Sequence, residues 1–122
     1  MRRPPFSRLL VVLTGVLLAL SLATGCTSTP QLDPNAVIID VRTPAEFQAG
    51  HLDGARNIDV QGATFASDIA SLPKDGAYAV YCRSGARASA AATAMTQAGF
   101  TNVVNLGGID AASKTTGRAI VQ

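Results

Sequence analysis

After about residue 35 the sequence alternates between short apolar runs and segments of helix-forming composition. The apolar runs are AVIID (36–40), ARNIDV (55–60), AYAVYC (77–82) and TNVVNL (101–106). The segments between them are TPAEFQAG (43–50), ATFASDIASL (63–72) and ARASAAATAMTQAG (86–99). Three of the apolar runs are nearly continuous, which is typical of parallel strands covered on both faces. The pattern therefore predicts an α/β fold, an open parallel sheet flanked by helices.

Local signals mark the ends of two predicted helices. Thr43 precedes Pro44 and stands three positions before Glu46, which is the pattern of an N-cap, an N1 proline and a capping box. Gly50 is expected to end this short helix. The alanine-rich segment closes at Gly99 and has high helix propensity, so it is predicted to be the best formed helix.

The first 25 residues have the layout of a secretory signal peptide. Arg2, Arg3 and Arg8 supply positive charge, and the apolar stretch 9–23 follows. That stretch has fifteen residues, whereas a bilayer core demands roughly 20 apolar residues. We therefore predict a targeting segment at 1–25 rather than a transmembrane helix.

Thr24 and Gly25, directly before Cys26, resemble the small residues of the bacterial lipobox, although Ala23 stands where that pattern prefers leucine. The resemblance implies cleavage before Cys26 and lipidation of its thiol, and several buried acyl chains give stable anchoring. The expected location is extracytoplasmic, on the outer face of the bacterial cell membrane or in the periplasm. The alternative is ordinary cleavage nearby, which leaves Cys26 as a thiol.

The segment CTSTPQLDPN (26–35) is polar and carries two prolines, so residues 26–34 are predicted to form a flexible tether. Residues 35–122 then form one small domain with a single core. Without residues 1–25, seven basic residues stand against eight acidic ones. No basic patch remains that would favour binding of nucleic acid.

Cys82 ends the third apolar run, immediately before a glycine-containing loop and the alanine-rich helix. This position is the carboxyl edge of a parallel sheet, where open α/β folds bind ligands. Loop amides, the helix dipole and the neighbouring guanidinium groups of Arg83 and Arg87 are expected to lower the thiol pKa to roughly 3.5–7.5. Cys82 is then a thiolate nucleophile, and the alternative is a buried, inert structural cysteine.

The segment YCRSGARASAAA (81–92) resembles the active loop and helix of the rhodanese-like sulfurtransferases, whose single-domain members carry C-R-x-G-x-R. VIIDVRTPAEFQAGHLDGARNID (37–59) is similar to the family's first block, and GFTNVVNLGGI (99–109) to its last strand and turn. The resemblance covers most of residues 36–110. It implies the rhodanese-like fold and an enzyme that moves sulfane sulfur.

The same resemblance implies a role for each residue of the loop. Cys82 would take sulfur from a small anionic donor such as thiosulfate, form a persulfide and pass the sulfur to a thiol or cyanide. No cofactor is expected. The predicted substrate-binding residues are Arg83, Ser84, Gly85, Ala86 and Arg87.

Three further residues are predicted to support the site rather than to react. By resemblance, Asp40 and Arg42 are scaffold at the end of the first strand, and His51 fixes the turn through a hydrogen bond. A lone histidine without metal-ligand spacing predicts no metal site. The chain lacks the tryptophan that the family's closing helix usually carries, so this helix is expected to be loose and the site more open.

Two other functions compete with sulfur transfer. Cysteine-dependent phosphatases resemble C-x5-R, whereas Cys82 to Arg87 is C-x4-R, and the smaller ring of amides suits a terminal sulfur better than a phosphoryl group. Rhodanese-like domains also serve as binding or sensing modules, since a fold does not by itself determine a function.

Overall fold

The computed structural model of the protein describes residues 31–122. Its strands are β1 (Val37–Asp40), β2 (His51–Leu52), β3 (Arg56–Asn57), β4 (Ala77–Cys82), β5 (Asn102–Gly108) and β6 (Ile120–Val121). Its helices are α1 (Pro44–Ala49), α2 (Phe65–Ala70), α3 (Ala86–Gln97) and α4 (Ile109–Thr116).

Four strands form a parallel sheet in the order β3-β1-β4-β5. The predicted α/β fold with a parallel sheet and flanking helices is therefore confirmed. Because the strands are parallel, their carboxyl ends meet at one edge, and Asp40 and Cys82 both lie there. β2 and β6 form a separate antiparallel pair. The hydrophobic pattern missed this pair, since a strand of two residues has no periodicity to detect.

Alternate residues of β4 face opposite sides of the sheet, as the strand period of two requires. Tyr78, Val80 and Cys82 join a core cluster that also contains buried residues of α2 and α3. Ala79 and Tyr81 join a second cluster. That cluster includes buried residues of β1, β2, β5 and α4. The sheet is thus covered on both faces, which explains its nearly continuous apolar strands.

Two predicted elements have different bounds in the structure. The predicted strand at 55–60 is only β3, because only Arg56 and Asn57 pair with β1. The closing helix expected to be loose is α4, which ends at a left-handed Gly117 and buries Ala112 completely. The missing tryptophan does not leave α4 unpacked, because the small side chain of Ala112 lets the helix lie close to the sheet.

Several predictions concern residues outside the described range: the signal peptide at 1–25, lipidation of Cys26 and the tether up to residue 30. Leu32, inside the predicted tether, is half-buried against the second core cluster. Contacts with the domain therefore begin before residue 35. Within residues 31–122, no helix combines the length and the apolar character needed to cross a bilayer.

Candidate active site

Cys82 stands where β4 gives way to the loop 83–85 and then to α3, as the sequence predicted. Gly85 adopts a left-handed conformation with φ of 105° immediately before the helix, which glycine tolerates without strain. This turn brings the Gly85 N–H to 2.9 Å from Cys82 Sγ, to which it donates a hydrogen bond. The chain thus folds back over its own cysteine.

Two opposing effects set the pKa of the Cys82 thiol. Burial raises it, whereas the nearby backbone N–H groups of Ala88, Gly85, Ser84 and Arg87 lower it, and of these the Gly85 N–H donates a hydrogen bond to Sγ at 2.9 Å. The pKa is lower than that of an ordinary thiol, so the N–H groups outweigh burial. The sulfur therefore occupies a cradle of donors that favours the anionic form.

The exposure of Cys82 alone would fit an inert structural cysteine, because the residue is only 1% exposed. The loop beside it is polar and open, with Arg83, Ser84 and Ala86 exposed. An inert thiol needs no amide donors, and burial in apolar surroundings would raise its pKa. The converging N–H groups and the lowered pKa instead match an activated cysteine.

The two arginines of the loop have different surroundings. Arg87 forms a two-pronged ion pair with Glu46, with Nη1 to Oε2 at 2.7 Å and Nη2 to Oε1 at 2.9 Å. Arg83 is exposed, and it takes part in neither of the ion pairs that the structure describes between residues 31 and 122. The sequence predicts that both guanidinium groups activate the thiol. In the structure Arg87 is bound by a carboxylate, and backbone N–H groups are the main cause of the lowered pKa.

Asp40 and Arg42 form a buried ion pair at the end of β1. The Arg42 guanidinium donates to both carboxylate oxygens of Asp40, at 2.6 to 3.0 Å, and to the Gly50 carbonyl at 2.6 Å. Hydrogen bonding to Asp40 raises the pKa of Arg42. These hydrogen bonds join the end of β1 to Gly50, just before β2, so both side chains serve the scaffold of the domain.

His51 lies at the start of β2, beside the end of α1. Its Nδ1 lies 2.9 Å from the Phe47 carbonyl oxygen, and its ring stacks on that of Phe47 with centroids 3.8 Å apart. This contact joins the start of β2 to α1.

Comparison with known proteins identifies the family of the chain. The sequence matches the family described as Rhodanese-like domain over residues 28–115. The chain belongs to the rhodanese family. Among its relatives is the probable adenylyltransferase/sulfurtransferase MoeZ of Mycobacterium tuberculosis, 38% identical over 100 residues. The match covers 75% of this chain but only 26% of MoeZ, so the chain spans about a quarter of that protein.

Two further relatives are matched over most of their own length. Thiosulfate sulfurtransferase PspE of Escherichia coli is 34% identical over 71 residues, which is 58% of this chain and 68% of PspE. The crystal structure of a Rhodanese_3 like domain from Anabaena superposes with a TM-score of 0.63 and 28% identity. That match covers 71% of this chain and 99% of the Anabaena domain. The fold is therefore that of the rhodanese family.

This rhodanese loop also depends on Gly108, which the sequence indicates only as part of a turn. Gly108, at the end of β5, pairs with Cys82, and a Cβ on it would lie 2.7 Å from the Arg83 carbonyl oxygen. A side chain there would force the loop to move. The doublet Gly107-Gly108 was a visible signal, but the sequence does not say which backbone it approaches.

Glu46 is a second residue of the rhodanese site that the sequence alone does not indicate. It was recognised as the capping-box residue of α1, and the structure confirms the capping box. Its second role, the ion pair with Arg87, joins residues 41 positions apart. No local pattern reports such a contact.

The structure also has a cavity away from the rhodanese loop, and its described residues include no cluster suited to a metal ion. A cavity of about 320 Å³ is lined by residues near the start of β1 and the end of α4, and none of its lining residues belongs to the loop. Among residues 31–122, no three His, Cys, Asp or Glu side chains are grouped closely enough to hold a metal ion.

Proposed function

We propose that this rhodanese domain is a sulfurtransferase that moves a sulfane sulfur through a persulfide on Cys82. The donor is thiosulfate or a similar small anion, and the acceptor is a thiol or cyanide. The observation that carries the proposal is the cradle of backbone N–H groups around a cysteine of lowered pKa at the start of α3. The relatives named as sulfurtransferases support the same class of reaction.

The proposed reaction needs no cofactor, because its two steps balance by themselves. The Cys82 thiolate attacks the outer sulfur of thiosulfate, forming a new S–S bond while the S–S bond of the donor breaks. Sulfite leaves with the electron pair of that bond. Cyanide or a thiolate acceptor then attacks the outer sulfur of the persulfide, and Cys82 leaves again as a thiolate.

The loop residues assist both steps in this proposal. The backbone N–H groups that stabilise the thiolate also stabilise the persulfide anion, since both place negative charge at the same end of the helix. The exposed Arg83 provides positive charge at the mouth of the loop for the anionic donor. The residues assigned to donor binding are Arg83, Ser84, Gly85, Ala86 and Arg87, with Arg83 meeting the donor and Arg87 ordering the loop.

The experiment that tests the proposal compares the parent with Cys82→Ser in thiosulfate-to-cyanide sulfur transfer. We expect the variant to lose thiocyanate production while its circular-dichroism spectrum stays that of the parent, because a hydroxyl replaces a thiol of similar size. Thiocyanate production by Cys82→Ser would remove Cys82 from the mechanism. A parent that binds thiosulfate without turning it over would instead support the binding-module alternative.

We further propose that the domain works outside the cytoplasm, anchored by lipid on Cys26. The basic start, the apolar stretch and the small residues before Cys26 support this proposal. Cys26→Ala is expected to release the protein from the membrane fraction or to leave the signal peptide uncleaved. Cell fractionation with an antibody against the domain measures both outcomes. A variant that is processed and still bound to membranes would contradict lipidation at this residue.

A further inference from the structure

Glu46 connects two elements of the site that the sequence keeps far apart. Its carboxylate accepts from the backbone N–H and hydroxyl of Thr43, at 3.1 and 3.0 Å, and from both terminal nitrogens of Arg87. Both carboxylate oxygens are therefore occupied. The first turn of α1 and the first turn of α3 are joined through this one side chain.

The position of Arg87 gives this connection a consequence for the sulfur. Arg87 is the second residue of α3 and lies two positions after Gly85, whose N–H donates to Cys82 Sγ at 2.9 Å, and the nearby Arg87 N–H also helps to lower the pKa of Cys82. Its side chain, held by Glu46, fixes the start of the helix relative to α1. A displacement of Arg87 would move the N–H groups away from the sulfur.

The same contact changes the charge that the loop presents. The Glu46 carboxylate offsets the charge of the Arg87 guanidinium, which leaves Arg83 as the exposed cation of the loop without an ion-pair partner among the described residues. An anionic donor should therefore be drawn mainly to Arg83.

We propose that Glu46 is a positioning residue for sulfur transfer: by holding Arg87 it keeps the loop N–H groups on Cys82 Sγ and leaves Arg83 to meet the anionic donor. This inference rests on the proposed function, since it assigns roles within the same reaction. Glu46 itself does not touch the reacting sulfur.

A positioning role for Glu46 and a purely electrostatic role predict opposite changes of the thiol pKa of Cys82. If Glu46 acted only as a negative charge near the sulfur, Glu46→Gln would lower the thiol pKa, because a destabilising charge is removed. If Glu46 holds the N–H groups in place, the same change raises the thiol pKa by roughly half a unit to one unit, because donors to the thiolate are lost. The pH dependence of alkylation by iodoacetamide, an uncharged probe, reports this pKa directly.

Two further variants separate the positioning role of Glu46 from its negative charge and from its part in capping α1. Glu46→Asp keeps the charge but shortens the side chain, so it should raise the thiol pKa as Glu46→Gln does. Thr43→Val removes the hydroxyl of the capping box but leaves the pair between Glu46 and Arg87, so its thiol pKa should stay that of the parent. A lowered or unchanged pKa in both Glu46 variants overturns the proposal, and so does a raised pKa in Thr43→Val.

Steady-state kinetics then test whether Arg83 binds the donor while Arg87 positions the loop. Arg83→Gln is expected to raise KM for thiosulfate several-fold with kcat nearly unchanged, whereas Arg87→Gln and Glu46→Gln should mainly lower kcat. The double variant Glu46→Gln/Arg87→Gln should lose no more kcat than the worse single variant, because the pair acts as a unit. Independent losses that multiply would overturn the proposal. If the parent transfers no sulfur at all, the proposed function fails, while the alkylation series still decides whether Glu46 holds the N–H groups on Cys82.

Discussion

Two ion pairs lie near the same edge of the sheet, and their surroundings differ. Arg42 and Asp40 are two positions apart and buried, with side-chain exposures of 8% and 0%. Arg87 and Glu46 are 41 positions apart and partly exposed, at 24% and 30%. The bond lengths are nearly equal, 2.6 and 2.7 Å, so the difference lies in solvent access and not in geometry.

This difference separates a contact that the fold requires from one that shapes the site. A buried pair must stay complete, because removal of one partner leaves an uncompensated charge in the interior. A partly exposed pair contributes little net stability, since water and salt screen it. The pair between Arg87 and Glu46 therefore has its main consequence in the position of the loop.

The largest effect is expected from breaking the buried pair. Arg42→Met should lower the free energy of unfolding by about 3–5 kcal/mol, because the Asp40 carboxylate stays buried without its partner. Denaturant unfolding followed by circular dichroism measures this loss. Replacing both residues, as Asp40→Leu/Arg42→Met, should recover part of the loss. A single variant as stable as the parent would show that Asp40 and Arg42 are not the scaffold described above.

A smaller effect is expected when the loop is moved with both ion pairs left intact. Gly108→Ala places a Cβ 2.7 Å from the Arg83 carbonyl oxygen, so the loop must shift. We expect a loss of about 1–3 kcal/mol in unfolding free energy, together with a raised thiol pKa of Cys82. Gly107→Ala is the neighbouring control: its φ of 79° makes the change strained, but its Cβ would contact nothing within 4 Å. An equal rise of the thiol pKa in both variants would argue against contact with Arg83 as the cause.

The smallest effect concerns the stability that the exposed pair adds and its dependence on pH. Hydrogen bonding from Arg87 lowers the pKa of Glu46 to about 2, below its ordinary value of 4.5. A carboxyl group with a lowered pKa stabilises the folded state above its ordinary pKa, and this stabilisation disappears as the pH falls toward 2. Glu46→Gln should therefore cost about 0–1 kcal/mol near neutral pH, and the cost should shrink at low pH. A difference in unfolding free energy that stays constant across this range would contradict the ion pair.

Local signals predicted the elements that lie next to the sulfur. The run AYAVYC became β4 with Cys82 as its last residue, and Thr43 caps α1 through a complete capping box. Both features depend on residues within a few positions of each other, so the sequence alone contains the information. The rhodanese motif added the expectation that the loop after Cys82 holds the chemistry.

Contacts between distant segments could not be predicted in the same way. Neither the approach of Gly108 to Arg83 nor the pair between Glu46 and Arg87 leaves a periodic pattern. The predicted strand at 55–60 was too long for a related reason. Ile58 is apolar and buried, and its N–H still donates to the Asp40 carbonyl, but it lies beyond the two residues that pair in register with β1. Its burial therefore does not mark a longer strand.

The central claim is that Cys82 accepts one sulfur atom and passes it on, and intact mass spectrometry tests this most directly. Purified protein is measured before and after incubation with thiosulfate, and again after cyanide is added. We predict that the parent gains the mass of one sulfur atom, that cyanide removes it, and that Cys82→Ser gains none. A parent whose mass does not change, or a variant that gains the same mass, would contradict sulfur transfer through Cys82.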